Sequence, residues 1–108
     1  MRLYHGSNKP FAAHVGLCLT DDQYAARDYA PRGTLTTVEF VPFGLVVERA
    51  RSFGEAGDDG CCDSARETRR YRRRGVDVVE YQDQSPDGRT HRTWRLISRR
   101  ALRAITTI

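Results

Sequence analysis

The tripeptide His5-Gly6-Ser7, closing a short apolar stretch and answered by Gly16-Leu17-Cys18-Leu19-Thr20 and a Tyr/Ala segment ending at Tyr29, constrains this chain more than any other feature. Arg2-Leu3-Tyr4-His5 predicts a strand, and Gly6-Ser7-Asn8-Lys9-Pro10 predicts a turn that cannot continue it. His5 is then expected at a strand exit. A glycine at such a place has no Cβ to hold a flat ligand off the backbone, while His and Ser bring directional donors and acceptors that suit the hydroxyls of a ribose. The same tripeptide also fits an ordinary turn.

Thr20-Asp21-Asp22-Gln23 has the form of a capping box, with Thr20 at the N-cap, and it opens a helix that Pro31 stops after Ala30. Leu17-Cys18-Leu19 reads as a short strand entered from Gly16. Tyr24, Ala25 and Tyr29 are expected to share part of one helical face, as wall of a pocket or as plain core aromatics.

Together these segments resemble the ADP-ribosyltransferase superfamily, in the branch of the poly(ADP-ribose) polymerases, and especially its short phage and bacterial mono-ADP-ribosyltransferases, one group of which acts as anti-CRISPR proteins. That branch carries His-Gly-[Ser/Thr] on its first strand, then Gly-x-[aromatic]-[Phe/Leu]-[Ala/Thr] and a helix ending in Tyr. His5-Gly6-Ser7, Gly16 to Thr20 and Tyr29 match it over the first third of the chain. The resemblance implies NAD as co-substrate, with His5 on the nicotinamide ribose, Gly6 holding the carboxamide through its backbone, Ser7 supporting the sugar and Tyr29 stacking on the nicotinamide. Thr20 and Tyr24 are implied as pocket neighbours. Cys18 replaces the strand aromatic that often covers the nicotinamide.

Where the family usually has a Glu before its last amphipathic strand, Thr93-Trp94-Arg95-Leu96 offers Thr93 and no acid. In some short members the acid stands on the preceding strand or its turn, and Val78-Val79-Glu80-Tyr81-Gln82-Asp83 offers Glu80 and Asp83 there. Gln82-Asp83 before a Gly-containing turn resembles the anti-CRISPR group, which ranks Asp83 above Glu80 as the catalytic acid beside His5. Both acids also fit plain roles, Glu80 as a solvated strand residue and Asp83 as a turn former. Breaking the bond between ribose and nicotinamide develops positive charge on the sugar, as in glycoside hydrolysis, and a carboxylate at the sugar stabilises it. No metal is implied.

The 108 residues suit one domain, 1–108, expected to be α+β: a small split-sheet ADP-ribosyltransferase-like fold with mainly antiparallel strands and two short helices. Strands are predicted over Thr34–Val41, Leu45–Glu48, Val76–Gln82, His91–Ile97 and Ala101–Ile105. Ser52 to Gly60 reads as an acidic, Gly-rich loop, and Asp63-Ser64-Ala65 as the start of a helix to about Arg74, capped by Gly75. Three cysteines, with Cys61 and Cys62 adjacent, form neither a disulfide framework nor a zinc-ligand spacing, and no apolar run has the length of a membrane span. A cytoplasmic, reduced setting is the expectation, with Cys18 as a small core residue. His14 is expected in an exposed loop or at the pocket mouth, and His91 at a strand end.

The formal charge of +4 is carried almost wholly by arginine, and Arg66, Arg69, Arg70, Arg72, Arg73 and Arg74 crowd one helix that Ala65 and Tyr71 are expected to anchor. Arg66, Arg69, Arg70 and Arg73 suit a nucleic acid, a nucleoprotein or an acidic protein, or else a solvated face. The leading expectation is mono-ADP-ribosylation of a macromolecule, most simply a protein, by a toxin, a phage inhibitor of host defence or a modifying enzyme. The alternative is a non-catalytic protein of the same fold that binds through the arginine helix. A related NAD-dependent RNA phosphotransferase is disfavoured by the short length.

Overall fold

In the computed structural model, which describes residues 1–50 and 65–108, seven strands form one sheet with the order β4-β5-β6-β2-β1-β3-β7. The elements run β1 (Arg2–Ser7), β2 (Cys18–Thr20), α1 (Gln23–Tyr29), β3 (Thr34–Phe40), β4 (Val47–Arg49), α2 (Ala65–Arg73), β5 (Val78–Gln84), β6 (Thr90–Leu96), α3 (Arg99–Arg103) and β7 (Ile105–Thr107). The expected loop over 52–60, the Cys61-Cys62 pair and the helix start at Asp63-Ser64 lie outside the described residues.

The sheet is mixed, which corrects the mainly antiparallel expectation: β4 joins β5 in parallel, while β1–β2, β1–β3, β2–β6, β3–β7 and β5–β6 pair antiparallel. A parallel neighbour needs a crossover between the two strands, and α2 lies in that connection. Three helices, not two, occur among the described residues. The third replaces a predicted strand. Ser98 caps α3, its Oγ accepting from the Ala101 N–H at 3.2 Å, so Arg99 to Arg103 coil where a strand from Ala101 was expected. Pairing resumes only at the β-branched Ile105-Thr106-Thr107.

Alternation along the strands builds two apolar layers. Leu3, Leu19, Val38, Phe40, Val78, Trp94 and Leu96 cluster with Ala101 of α3 on one side. Val79 and Tyr81, one step out of phase with Val78, cluster with Tyr71 of α2, Ala50, Val76 and Ile97 on the other. Burying a side chain the size of Phe40 or Leu96 contributes about 1.5–3 kcal/mol relative to leaving it in water. In α2 the buried residues are Thr68 and Tyr71; Ala65, an expected anchor, is exposed. Gly75 takes a φ of 77°, the left-handed conformation expected of a residue just past a helix.

Candidate functional site

The sheet is nearly cut in two between β1 and β2, which share the single register pair Tyr4↔Thr20. Beside it, β1 pairs with β3 from Arg2↔Glu39 through Ser7↔Thr34, so β1 continues through Gly6 and Ser7 instead of turning there. The Met1 N-terminal amine donates to the Phe40 carbonyl at 2.6 Å, and the Phe40 N–H to the Met1 carbonyl at 2.7 Å. That doubly bonded pair sets the phase of the antiparallel ladder: Leu3, His5 and Ser7 turn their backbone groups to β3, and Tyr4 and Gly6 turn theirs toward β2. Continued pairing past Tyr4↔Thr20 would bring the Gly6 N–H to the Cys18 carbonyl. Instead, the His5 ring takes that carbonyl at 2.9 Å. The Gly6 N–H and C=O therefore face the opening between the strands.

A carbonyl only accepts, so His5 Nδ1 carries the proton and Nε2 presents a lone pair. Burial holds the His5 pKa below its ordinary 6.5, outweighing the Cys18 bond that raises it, and His14 lowers it further. Phe11 steadies the ring edge-on, with centroids 5.8 Å apart and planes at 65°. The packing of α1 by itself requires glycine at position 6. A Cβ on it would stand 1.9 Å from the backbone oxygen of Ala26, in the middle of α1.

Helix α1 begins at Asp22, not at Thr20. Asp22 Oδ1 accepts from the N–H groups of Tyr24 at 2.8 Å and Ala25 at 3.2 Å, the short carboxylate sitting on the positive end of the helix. Thr20 cannot serve as that cap because it ends β2, between Tyr4 and Thr93, with its hydroxyl 2.7 Å from His91 Nδ1. From the last turn of α1, Tyr29 reaches its hydroxyl to Asp83 Oδ2 at 3.3 Å, the Gln84 carbonyl at 3.2 Å and His91 Nε2 at 3.0 Å.

Strand alternation separates the two candidate acids. Glu80 and Asp83 stand three residues apart in β5 and so point to opposite faces. Asp83, paired with His91 across the ladder, joins the face of Tyr81, Thr93 and Thr20. Glu80 pairs with Trp94 and turns away, 3.0 Å from Arg92 Nη1 and 3.5 Å from Arg49 Nη2.

These elements enclose a cavity of about 240 Å³ whose lining includes His5, Gly6, Thr20, Tyr29, Asp83 and His91. Cavities that hold complete small ligands run from roughly 300 Å³ upward, so this one suits one ring and its sugar better than a whole dinucleotide. Thr93, Ala26 and His14 also line it, as does Cys18, which is half-buried here and not the core residue expected.

Three expected site residues are not brought into it. Ser7 Oγ accepts from the Lys9 N–H at 3.0 Å, within the turn. Tyr24 is 54 % exposed, with the Arg89 guanidinium 5.3 Å from its ring centre, because the buried face of α1 runs through Ala25 and Ala26. Glu80 lies on the opposite face. Conversely, His91 was expected merely at a strand end and is buried at the cavity. Its signal was faint: His91 shares its strand phase with the polar Thr93 and Arg95, while the apolar Trp94 and Leu96 take the other face. Arg66, Arg69, Arg70 and Arg73 are exposed on α2, and none of them lines the cavity. Among the described residues, no helix is long and apolar enough to cross a membrane. No protein-family model, curated protein or solved structure matches the chain.

Proposed function

We propose that this protein is an NAD-dependent mono-ADP-ribosyltransferase, with the nicotinamide ribose of NAD in the cavity between β1 and β2. The observation that carries this reading is the opening of the β1–β2 ladder at Gly6, which turns a backbone N–H and C=O toward the cavity beside an imidazole acceptor, a phenol ring and a carboxylate. A carboxamide needs one donor and one acceptor side by side, and Gly6 supplies both. His5 Nε2 accepts from a ribose hydroxyl. The Tyr29 ring, anchored at its hydroxyl, offers its face to nicotinamide.

In the reaction the bond from ribose C1′ to the nicotinamide nitrogen breaks, and its electron pair leaves with neutral nicotinamide. The cationic sugar is stabilised by the Asp83 carboxylate on the cavity wall. A lone pair of the acceptor then forms the new bond to C1′, and the acceptor proton passes to solvent. With 240 Å³ inside, the adenylate half of NAD extends beyond the cavity, and the acceptor approaches over the loops.

The test is mass spectrometry after incubation with isotopically labelled NAD and a cell lysate. Label on a macromolecule, lost in His5→Ala and Asp83→Asn and kept in Glu80→Gln, supports the transferase. Absence of both label and free nicotinamide overturns it. A second reading draws on the exposed side chains of Arg66, Arg69, Arg70 and Arg73: a non-catalytic protein that binds nucleic acid or an acidic partner through α2. Binding that weakens steeply with salt, and is abolished by neutralising those arginines, would favour it.

A further inference from the structure

His91 is 5 % exposed, and each of its ring nitrogens meets a hydroxyl. Nδ1 stands 2.7 Å from Thr20 Oγ1, with Thr93 Oγ1 at 3.3 Å, and Nε2 stands 3.0 Å from the Tyr29 hydroxyl. The direction of these bonds follows from the acceptors at the far end. The Gln84 carbonyl, 3.2 Å from the phenol, can only accept, so Tyr29 donates its single proton toward Gln84 and Asp83. Its oxygen then accepts from His91 Nε2–H. Nδ1 is left as the acceptor for the Thr20 hydroxyl. The result is a polarised line from Thr20 through His91 and Tyr29 to Asp83.

We infer that His91 is the positioning residue of the cavity: it fixes the Tyr29 phenol and, through it, the Asp83 carboxylate. The other Asp83 oxygen is held by the Gln84 N–H at 2.7 Å, so both oxygens have a partner that sets their direction. The Tyr29 and His91 rings meet edge to face at 5.8 Å and 81°, which leaves the phenol little freedom to rotate. His91 needs no contact with substrate for this role. The inference rests on the transferase reading for what the positioned groups do, and on geometry alone for the positioning.

The experiment combines nitrogen NMR of the imidazoles with nicotinamide release from NAD. A glutamine side chain places its amide near the position of Nε2, and an asparagine near Nδ1, so His91→Gln keeps a donor for Tyr29 while His91→Asn removes it. In the native protein His91 is expected as the Nε2–H tautomer. His91→Asn and Tyr29→Phe should each lower kcat about tenfold, the effect of one hydrogen bond made in the transition state, with KM for NAD nearly unchanged. The double variant should lose no more than either single one, and His91→Gln should recover most of the rate. An Nδ1–H tautomer, additive losses, or equal losses in the Asn and Gln variants overturn the role of His91 and leave the transferase standing. Native protein that releases no nicotinamide overturns the transferase; the tautomer, and displacement of the Tyr29 ring resonances in His91→Asn but not in His91→Gln, then decide the positioning by themselves.

Discussion

The cleft between β1 and β2 and the helix α2 are both rich in polar side chains, and they are built in opposite ways. In the cleft, His5, Thr20, Tyr29, Asp83 and His91 are tied to fixed partners, so each nitrogen and hydroxyl has a defined direction. On α2, Arg66, Arg69 and Arg73 project into water, and Arg70 meets Glu67 one turn away at 3.4 Å across exposed surface. Fixed groups in a half-enclosed space can recognise one small molecule by geometry. Exposed guanidinium groups attract any anion and are screened by salt within about 8–10 Å at ordinary ionic strength. Functions that depend on orientation belong to the first region, and functions that depend on net charge to the second.

The comparison breaks hardest at Gly6. A methyl group there would sit 1.9 Å from the Ala26 oxygen, a backbone atom held within α1 that cannot swing aside. Gly6→Ala is therefore expected to push α1 off the sheet, costing about 3 kcal/mol of stability and the cavity with it. A melting curve checks this. An unchanged Tm would mean that α1 can shift on the sheet without cost, and that the cleft is not the fixed framework the comparison requires.

Next in size come the two acids of β5. Asp83→Asn keeps the shape of the side chain and removes the charge, and nicotinamide release should fall about a hundredfold. Glu80→Gln should leave turnover within twofold while costing about 1 kcal/mol in stability, because the Arg92 and Arg49 contacts are partly open to water. Turnover and thermal melts of both variants measured together would invert the assignment if Glu80 proved the costlier loss for catalysis.

Much of this site was legible along the chain. His5, Gly6, Tyr29 and Asp83 were singled out along the chain and all four line the cavity, but Gly6 stands within β1 where a turn was expected, and Asp83 within β5 where the strand was expected to end at Gln82. What escaped was set by contacts far apart in sequence. His91 meets Tyr29 and Thr20 from positions 62 and 71 residues away, and only the β5–β6 and β2–β6 registers decide which side it faces. Asp22 and not Thr20 caps α1 because Thr20 is committed to the sheet. At the C-terminal end Ser98 nucleated a helix where the apolar residues alone suggested a strand. A further reason for Gly6 was also hidden: the packing of α1 forbids a side chain there.

A smaller effect distinguishes the regions by pH. Burial lowers the His5 pKa below 6.5, so the imidazole is neutral through the physiological range and Nε2 stays an acceptor. As pH falls, the unfolded chain takes up its proton first, near 6.5; the folded protein loses stability from there down to the folded pKa and levels off below it. NAD affinity should be flat above pH 6.5 and drop only beneath it, when Nε2 becomes a donor. Calorimetric titration from pH 8 to pH 5 checks this, and His5→Ala should flatten the profile. A fall beginning well above 6.5 would point to another group.

The smallest expected effect belongs to α2. Arg66, Arg69 and Arg73 do not line the cavity, and α2 is held by the buried Thr68 and Tyr71. Replacing all three with Gln leaves that inner face intact and removes like charges at three- and four-residue spacing, so stability should change by less than about 0.5 kcal/mol. Nicotinamide release from NAD should also stay within twofold. What the substitution can change is the meeting with a large anionic partner, whose affinity falls with salt in proportion to the charges engaged. Modification of a macromolecular acceptor would then slow at low salt and converge with the native rate at high salt, while free NAD turnover would not respond. If free NAD turnover fell together with acceptor modification, α2 would be part of the cleft after all, and the separation of oriented from merely charged chemistry would fail for this fold.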